Sequence, residues 1–336
     1  MENASPVFIS AEAAATVFDW NAAIGALQQA YAQDIESVAI PPRTIAHSGK
    51  SWLRTLPAAP PGGRYYGAKL MGVSLEAATP GVQYVIVLFD RTTSRIAAFV
   101  DAEKVTGYRT AATSAAALAK LAPANASRLA VLGSGLEAQM HTRAFASVRA
   151  FSEISVFSPT PASRERFAET LGAELTGNLT PVENPEQAVA GADVVLAAAR
   201  SRDEKPILYG DWIEAGAVTV SIGSTVPEQR ELDVSVIAQS NLIVCDVVDE
   251  VVHETGDMIA ALEAGMQVAG KCFPLNDLLS GRLAEQLANA SKPMFKSVGG
   301  GLQDVVVAGM ILDRARGAGL ATELPIVFDT KTRLNS

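Results

Sequence analysis

Six consecutive residues, Gly133-Ser134-Gly135-Leu136-Glu137-Ala138, carry the chemistry that is read most directly from this chain. They follow a strand-like apolar run, RLAVL, and open a stretch of helical character. In a G-x-G-x-x-A arrangement the first glycine permits a tight turn and the second lets the backbone approach a pyrophosphate. The small third residue lets helix and strand pack closely, while free N–H groups at the helix start hold the anion. All six are therefore candidate cofactor-binding residues. A plain glycine turn is the alternative, disfavoured by the strand before, the helix after and the repetition of such units downstream. The next apolar run, EISVF, should end beside the adenosine ribose. An acid there indicates NAD and an arginine NADP. This chain has Ser158-Pro159-Thr160, with Arg164 beyond, so Ser158 and Thr160 serve either cofactor and the motif does not choose.

Other reactive side chains offer less. The three histidines, at 47, 141 and 253, stand at no zinc-binding spacing, and no metal site is expected. Glu250, His253, Glu254 and Asp257 read as a solvated acidic helix face in preference to a metal site. Cys245 and Cys272 are the only cysteines and form no CxxC pair, so no disulfide framework is expected and a reducing cytoplasm fits. A formal charge of −9 argues against nucleic acid as a partner. No apolar run reaches the roughly 18 residues that cross a bilayer, and the N-terminus lacks the basic and apolar regions of a signal peptide.

Two kinds of element must position this chemistry. The apolar runs RLAVLGSG, EISVFSPT, ADVVLAAA, AVTVSIGS and NLIVCDVV alternate with helical stretches at 136–149, 161–171 and 185–190. That is the pattern of a buried parallel sheet. Before it lie a helix near 18–32, a Pro/Gly-rich region at 41–63, strands near 64–73, 82–90 and 95–100, and a helix from about 108 to 121. A last apolar helix near 301–316 returns to that first part. The expected fold class is α/β: a Rossmann-type doubly wound domain over 123–302, plus a discontinuous α+β domain from 1–122 and 303–336.

Six stretches in order, PPRT (41–44), YGAKLMG (66–72), TGYRTAATSAAALAKLA (106–122), LGSGLEAQMH (132–141), SIGSTVPEQRELD (221–233) and KSVGGGLQDVVVAGM (296–310), resemble the ornithine cyclodeaminase/mu-crystallin family, most of all its iminosuccinate reductase and amino-acid dehydrogenase members. The resemblance implies a homodimer whose discontinuous domain serves dimerisation and substrate binding. It implies chemistry at an amino-acid α-carbon: cyclodeamination, alanine dehydrogenation or reduction of imino acids. Carried over, Arg43, Lys69 and Arg109 match cationic residues that hold the substrate carboxylate and form the candidate catalytic set. A guanidinium fork suits a planar carboxylate, and Lys69 adds a charge able to act as acid or base. Thr110 and Thr113 match positions near the cofactor. Gly223 and Ser224 match a loop beside the nicotinamide, and Ser297 and Gly299 belong to the segment closing over it.

Two departures sharpen the expectation. Where cyclodeaminases of the family carry an Asp after the fifth strand, this chain has Thr225; where they carry a Glu eleven residues past the PR arginine, it has Arg54. An ornithine ammonium would face a guanidinium without counter-charge. Arg54, with His47 as a further candidate, suits a second substrate carboxylate. The reading is an NAD(P)H-dependent imine reductase, not a cyclodeaminase, that reduces iminosuccinate to aspartate, with NAD(H) favoured over NADP(H). The alternatives are a ketimine reductase or alanine dehydrogenase for a monocarboxylic imino acid, and a mu-crystallin-like cofactor-dependent binding protein.

Overall fold

The computed structural model describes residues 5–75, 81–199 and 205–329; the outer ends of the expected domains, 1–4 and 330–336, lie outside them. Two compact units emerge, one drawn from Met1–Arg109 and Gly300–Ser336, the other from Thr110–Gly299. The first unit begins with β1 (Val7–Ile9), α1 (Ala11–Val17) and α2 (Trp20–Tyr31). It continues through β2 (Thr44–Ser48), β3 (Ser51–Ala58), β4 (Tyr65–Ser74), β5 (Gly81–Asp90) and β6 (Ile96–Asp101) into α3 (Glu103–Leu121). The second unit holds β7 (Arg128–Leu132), α4 (Leu136–Ala146), β8 (Glu153–Phe157), α5 (Pro161–Gly172), β9 (Asn178–Pro181), α6 (Pro185–Val189) and β10 (Val194–Ala197). It then adds β11 (Val218–Ser221), α7 (Val234–Gln239), β12 (Ile243–Cys245), α8 (Val248–Glu254) and α9 (Gly256–Glu263). β13 (Cys272–Pro274), α10 (Leu275–Leu279), α11 (Ala284–Ala288) and β14 (Met294–Lys296) complete it. α12 (Gly301–Gly317) and β15 (Thr322–Glu323) return to the first unit. The division falls inside α3 and after Gly299, whereas the sequence pattern placed boundaries after residues 122 and 302.

In the first unit seven strands run in the order β15-β1-β6-β5-β4-β3-β2, antiparallel except for β1 beside β6. One row across this sheet reads Ile9, Val100, Ile86, Lys69, Leu56. Its four apolar members are buried, and α12 packs over β3, β4 and β5. Lys69 thus occupies a core position in a hydrophobic row. The stretch 41–63, which reads as Pro/Gly-rich connection, contains the hairpin β2–β3. β2 is an edge strand exposed along its whole length, so the alternation of apolar and polar residues that reveals a strand is absent.

The second unit is a wholly parallel eight-stranded sheet, β13-β12-β14-β11-β10-β7-β8-β9. β10 and β11 are buried residue for residue because helices cover both faces, the reason their sequence reads as continuous apolar runs. Strand order reverses between β7 and β10, which makes that crevice the topological switch point where nucleotides bind in doubly wound sheets. β14 inserts out of sequence between β11 and β12. Among the described residues no helix is long and apolar enough to cross a membrane.

Candidate functional site

Gly133 leaves the end of β7 with φ +123°, a region closed to most side chains, and a Cβ there would lie 2.5 Å from the Ala198 carbonyl oxygen just past β10. The turn is therefore wedged into the switch-point crevice. Gly135 is the N-cap of α4 and offers no capping side chain, so the first N–H groups of the helix carry no side-chain cap. A Cβ on Gly135 would meet nothing within 4 Å. Open space over an uncapped helix start is what a pyrophosphate requires. Ala138 is buried, and Leu136 is exposed beside the opening. The residues present fit a dinucleotide.

Ser158, buried past the end of β8, accepts a bond on its carbonyl from Arg164 Nη1 at 3.1 Å, and Thr160 is the exposed N-cap of α5. Thr110 and Thr113 lie one turn apart on α3, the first half-buried and the second buried.

The out-of-order insertion of β14 brings together two segments that lie far apart in sequence. Ser221, ending β11, pairs with Lys296, ending β14, and Ser297 N–H donates to the Ser221 carbonyl at 3.1 Å. The loop with Gly223 and Ser224 and the segment from Ser297 to Gly299 thus emerge side by side at the carboxyl edge of the sheet. Asp246, just past β12, holds the second segment: it accepts from Ser297 Oγ at 2.6 Å, Val298 N–H at 3.1 Å and Gly299 N–H at 2.8 Å. Sequence reasoning missed Asp246. Its signal is an acid placed directly after a buried strand, where nucleotide sites form.

The acidic helix face expected at 250–257 is not one face. The helix is interrupted at Thr255, between α8 and α9, so Asp257 belongs to a different helix from His253. His253 is exposed, whereas Glu250 and Asp257 are buried, and Asp257 Oδ2 receives the ammonium of Lys296 at 2.8 Å. His141 is a satisfied core histidine, with Nδ1 2.7 Å from the Glu137 carbonyl oxygen and Nε2 3.1 Å from Ser114 Oγ. Cys245 and Cys272 are separate thiols; the hydrogen bond between them and burial push the Cys245 thiol well up.

The cationic candidates lie in the first unit. Lys69 Nζ meets the Asp304 carboxylate at 3.0 Å, and Arg109 Nε meets the same carboxylate at 2.9 Å, all three buried. Arg109 Nη1 also donates to Gln303 Oε1 at 2.8 Å, and Gln303 Nε2 donates to the Tyr31 hydroxyl at 3.2 Å. Arg54 stands two residues along β3 from Leu56, the register partner of Lys69, and therefore on the same face; it stacks over Trp52 at 5.2 Å. Burial foremost, then the charges of Arg109 and Arg54, push the Lys69 ammonium down to about 8, against the pull of Asp304. Arg43 is half-buried just before β2. His47 is exposed and pairs with Trp52, four residues along β3 from Leu56 and so about 13 Å down the strand from the Lys69 row. The structure does not bring it to the cluster. Asp304 and Gln303 are the functional candidates missed here. Their signal is a Gln-Asp pair in the apolar first half of α12, and a buried polar pair needs partners.

A family model described as the ornithine cyclodeaminase/mu-crystallin family matches residues 6–319. The chain belongs to that family. Among its relatives, the ketimine reductase mu-crystallin of Mus musculus is 30% identical over 238 residues, 71% of either chain. An iminosuccinate reductase of Paracoccus denitrificans is 28% identical over 244 residues, 73% of this chain and 74% of the relative. Among solved structures, the iminosuccinate reductase of Paracoccus denitrificans in complex with NAD+ superposes with a TM-score of 0.84 at 24% identity, covering 96% of this chain and 100% of the other. At that identity the likeness speaks for the fold, and it agrees with the doubly wound sheet and the discontinuous companion unit.

Proposed function

We propose that this chain is a nicotinamide-dependent imine reductase that reduces iminosuccinate to aspartate. The observation that carries the reading is the Lys69 cluster. An ammonium whose pKa is brought down to about 8 stands beside Arg109, with Arg54 on the same face, and Asp304 is the carboxylate that holds it. The names of the relatives point to the same reaction class, C=N reduction on small imino acids.

A dinucleotide held by its pyrophosphate at the Gly133–Ala138 turn would supply the hydride from its nicotinamide. The chain's own residues do the rest. Arg109, with Arg43, binds the α-carboxylate, and Arg54 binds a second carboxylate; each is a charge-assisted contact. Lys69, protonated below about pH 8, holds a proton for the substrate nitrogen. Thr225 binds Gln229 Oε1 through its N–H at 3.0 Å and through Oγ1 at 3.2 Å, so position 225 supplies no carboxylate to act as base. With Arg54 replacing the acid that receives a side-chain ammonium, ornithine is not a substrate, and no ammonia is released from it. Arg164 is engaged by the Ser158 carbonyl, and NADH serves better than NADPH, read as the ratio of kcat/KM for the two.

The same reading makes the protein a cytoplasmic homodimer. Ile45, Leu53, Leu75 and Val82 are exposed apolar residues at one end of the β2–β5 sheet, surface that a second copy covers. A dimeric mass in sedimentation checks it.

The test follows NADH and NADPH oxidation with oxaloacetate plus ammonium, beside pyruvate plus ammonium and cyclic imino acids. Turnover is expected with oxaloacetate, reduced about a hundredfold by Arg54→Ala, the scale of one lost charged hydrogen bond. Equal activity on pyruvate or a cyclic imine, indifferent to Arg54, would sink the dicarboxylate reading. Binding without turnover on any of them would leave a binding protein.

A further inference from the structure

Beneath the loop after β11 lies a closed ring of buried polar groups that the reaction outlined above does not use. Glu231 Oε1 accepts from Ser221 Oγ at 2.6 Å and from Gly223 N–H at 2.8 Å. Lys296 Nζ donates to the same Ser221 Oγ at 2.9 Å and to Asp257 Oδ2 at 2.8 Å. Asp257 Oδ1 closes the ring by accepting the backbone N–H groups of Glu231 at 2.9 Å and Leu232 at 3.0 Å. Glu231, Ser221, Lys296 and Asp257 are all fully buried. The other carboxyl oxygen of Glu231 makes no hydrogen bond and is pressed against Gly223, where an added Cβ would fall 2.1 Å from it.

We propose that Glu231 is a positioning residue for the nicotinamide half of the cofactor, acting through the Gly223–Thr225 loop that it grips from below. This rests on the dinucleotide reading above and adds to it which residue sets the loop. Two strand ends, one loop residue and one helix start share the ring, so the loop cannot shift without breaking bonds in a dry interior, where each unmet polar group is costly. Gly223 is the contact point, because only a residue without a side chain admits the Glu231 carboxyl so close.

The ring also constrains the charge on Glu231. Lys296 and Asp257 already balance each other, and Arg230 approaches Asp257 at 4.0 Å from the half-exposed side. Burial, foremost, pushes the Glu231 carboxyl up to about 8, with Asp257 adding to the rise and Lys296 opposing it. At neutral pH the grip is made by a neutral acid. Above that range a second negative charge enters the ring beside Asp257, where Lys296 is already paired and Arg230 stands at the 4.0 Å limit of an ion pair.

The experiment measures binding of NADH and of ADP-ribose, which carries the pyrophosphate but no nicotinamide, to the full chain by calorimetry. Variants are Glu231→Gln, Glu231→Ala and, in case the alanine variant does not fold, Ser221→Ala. The expected result is that Glu231→Ala and Ser221→Ala weaken NADH about tenfold, with ADP-ribose changed less than twofold. Glu231→Gln should bind NADH as the unmodified chain does at pH 7. It should also lose the change in affinity that the unmodified chain shows between pH 7 and 9. Equal weakening of both ligands, or of neither, would overturn the proposal while leaving the dinucleotide reading intact. A chain that binds ADP-ribose and NADH not at all would overturn the dinucleotide reading and the proposal with it.

Discussion

Asp304→Asn is expected to lower kcat/KM at least a hundredfold and to move the alkaline limb of the pH–rate profile to lower pH. Asp304 is the carboxylate in contact with both Lys69 and Arg109, and it is fully buried. Removing its charge leaves the two buried cations, Lys69 and Arg109, without their shared carboxylate. Lys69, already brought down to about 8 by burial and two guanidiniums, answers by releasing its proton at still lower pH. The proton donor is then missing at neutral pH, an effect on the scale of about 10²–10⁴ for a general acid. Breaking a buried pair by removing one partner costs about 3–5 kcal/mol of stability, so thermal unfolding should be followed alongside. Arg54→Ala provides the opposite arm: it removes a repelling charge, and the same limb should move to higher pH. A limb that stays in place in both variants would show that Lys69 is not the titrating group. Stability runs the other way along the same axis. The folded chain releases the Lys69 proton at about 8 and the unfolded chain at about 10.5, so between them the unfolded chain binds more protons. This group therefore makes the fold more stable as pH rises through the window in which the proton donor is lost. Lys69→Met should flatten that part of the stability profile.

Gly133→Ala is expected to abolish measurable nucleotide binding and to destabilise the fold, whereas Gly135→Ala should abolish or weaken binding alone. At Gly133 the methyl group would sit 2.5 Å from the Ala198 oxygen and 2.9 Å from its carbon, on a backbone with φ +123°. The backbone conformation alone costs about 1–3 kcal/mol, and the collision must be relieved by parting β7 from β10. At Gly135, with φ −74° and nothing within 4 Å, alanine is accommodated by the protein itself. Only a ligand approaching the start of α4 would meet the methyl group. Thermal melts with calorimetric titration of NADH separate the two cases. Normal binding by Gly135→Ala would show that no pyrophosphate lies against α4.

Much of the nucleotide unit is legible in sequence because its physics is local. The glycine spacing, the strand before it and the helix after it lie within about twenty residues, and β8, β10, β11 and β12 appear where apolar runs stand. What is not legible is set by partners remote in sequence. β14 spans three residues, too few for any period, yet its place between β11 and β12 brings Ser297 to Ser221. Lys296, taken alone, is a lysine like any surface lysine, and only the insertion of its strand shows it buried beside Asp257. Asp257 itself misleads, because Thr255 and Gly256 end one helix and start another, which turns a regular acidic spacing into two unrelated positions. In the other unit Lys69, Arg109 and Arg54 are recognisable through motifs. Asp304, the counter-charge shared by Lys69 and Arg109, stands in one of those motifs, and its only local sign is its place beside Gln303 in an apolar stretch.

The discontinuity of the first unit has a consequence for the order of events during synthesis. Asp304 follows Lys69 by 235 positions, and α12, which covers β3, β4 and β5, is made after the whole parallel sheet. A nascent chain emerging from the ribosome therefore displays β2 to β6 with an uncovered apolar row and an unneutralised lysine in its midst, while the intervening unit has every strand it needs to fold. Closure of the first unit is the late, long-range step, and it occurs when the helix that seals the sheet delivers the carboxylate. Chains stopped before Gly301 should expose that row and aggregate, with the nucleotide unit already formed.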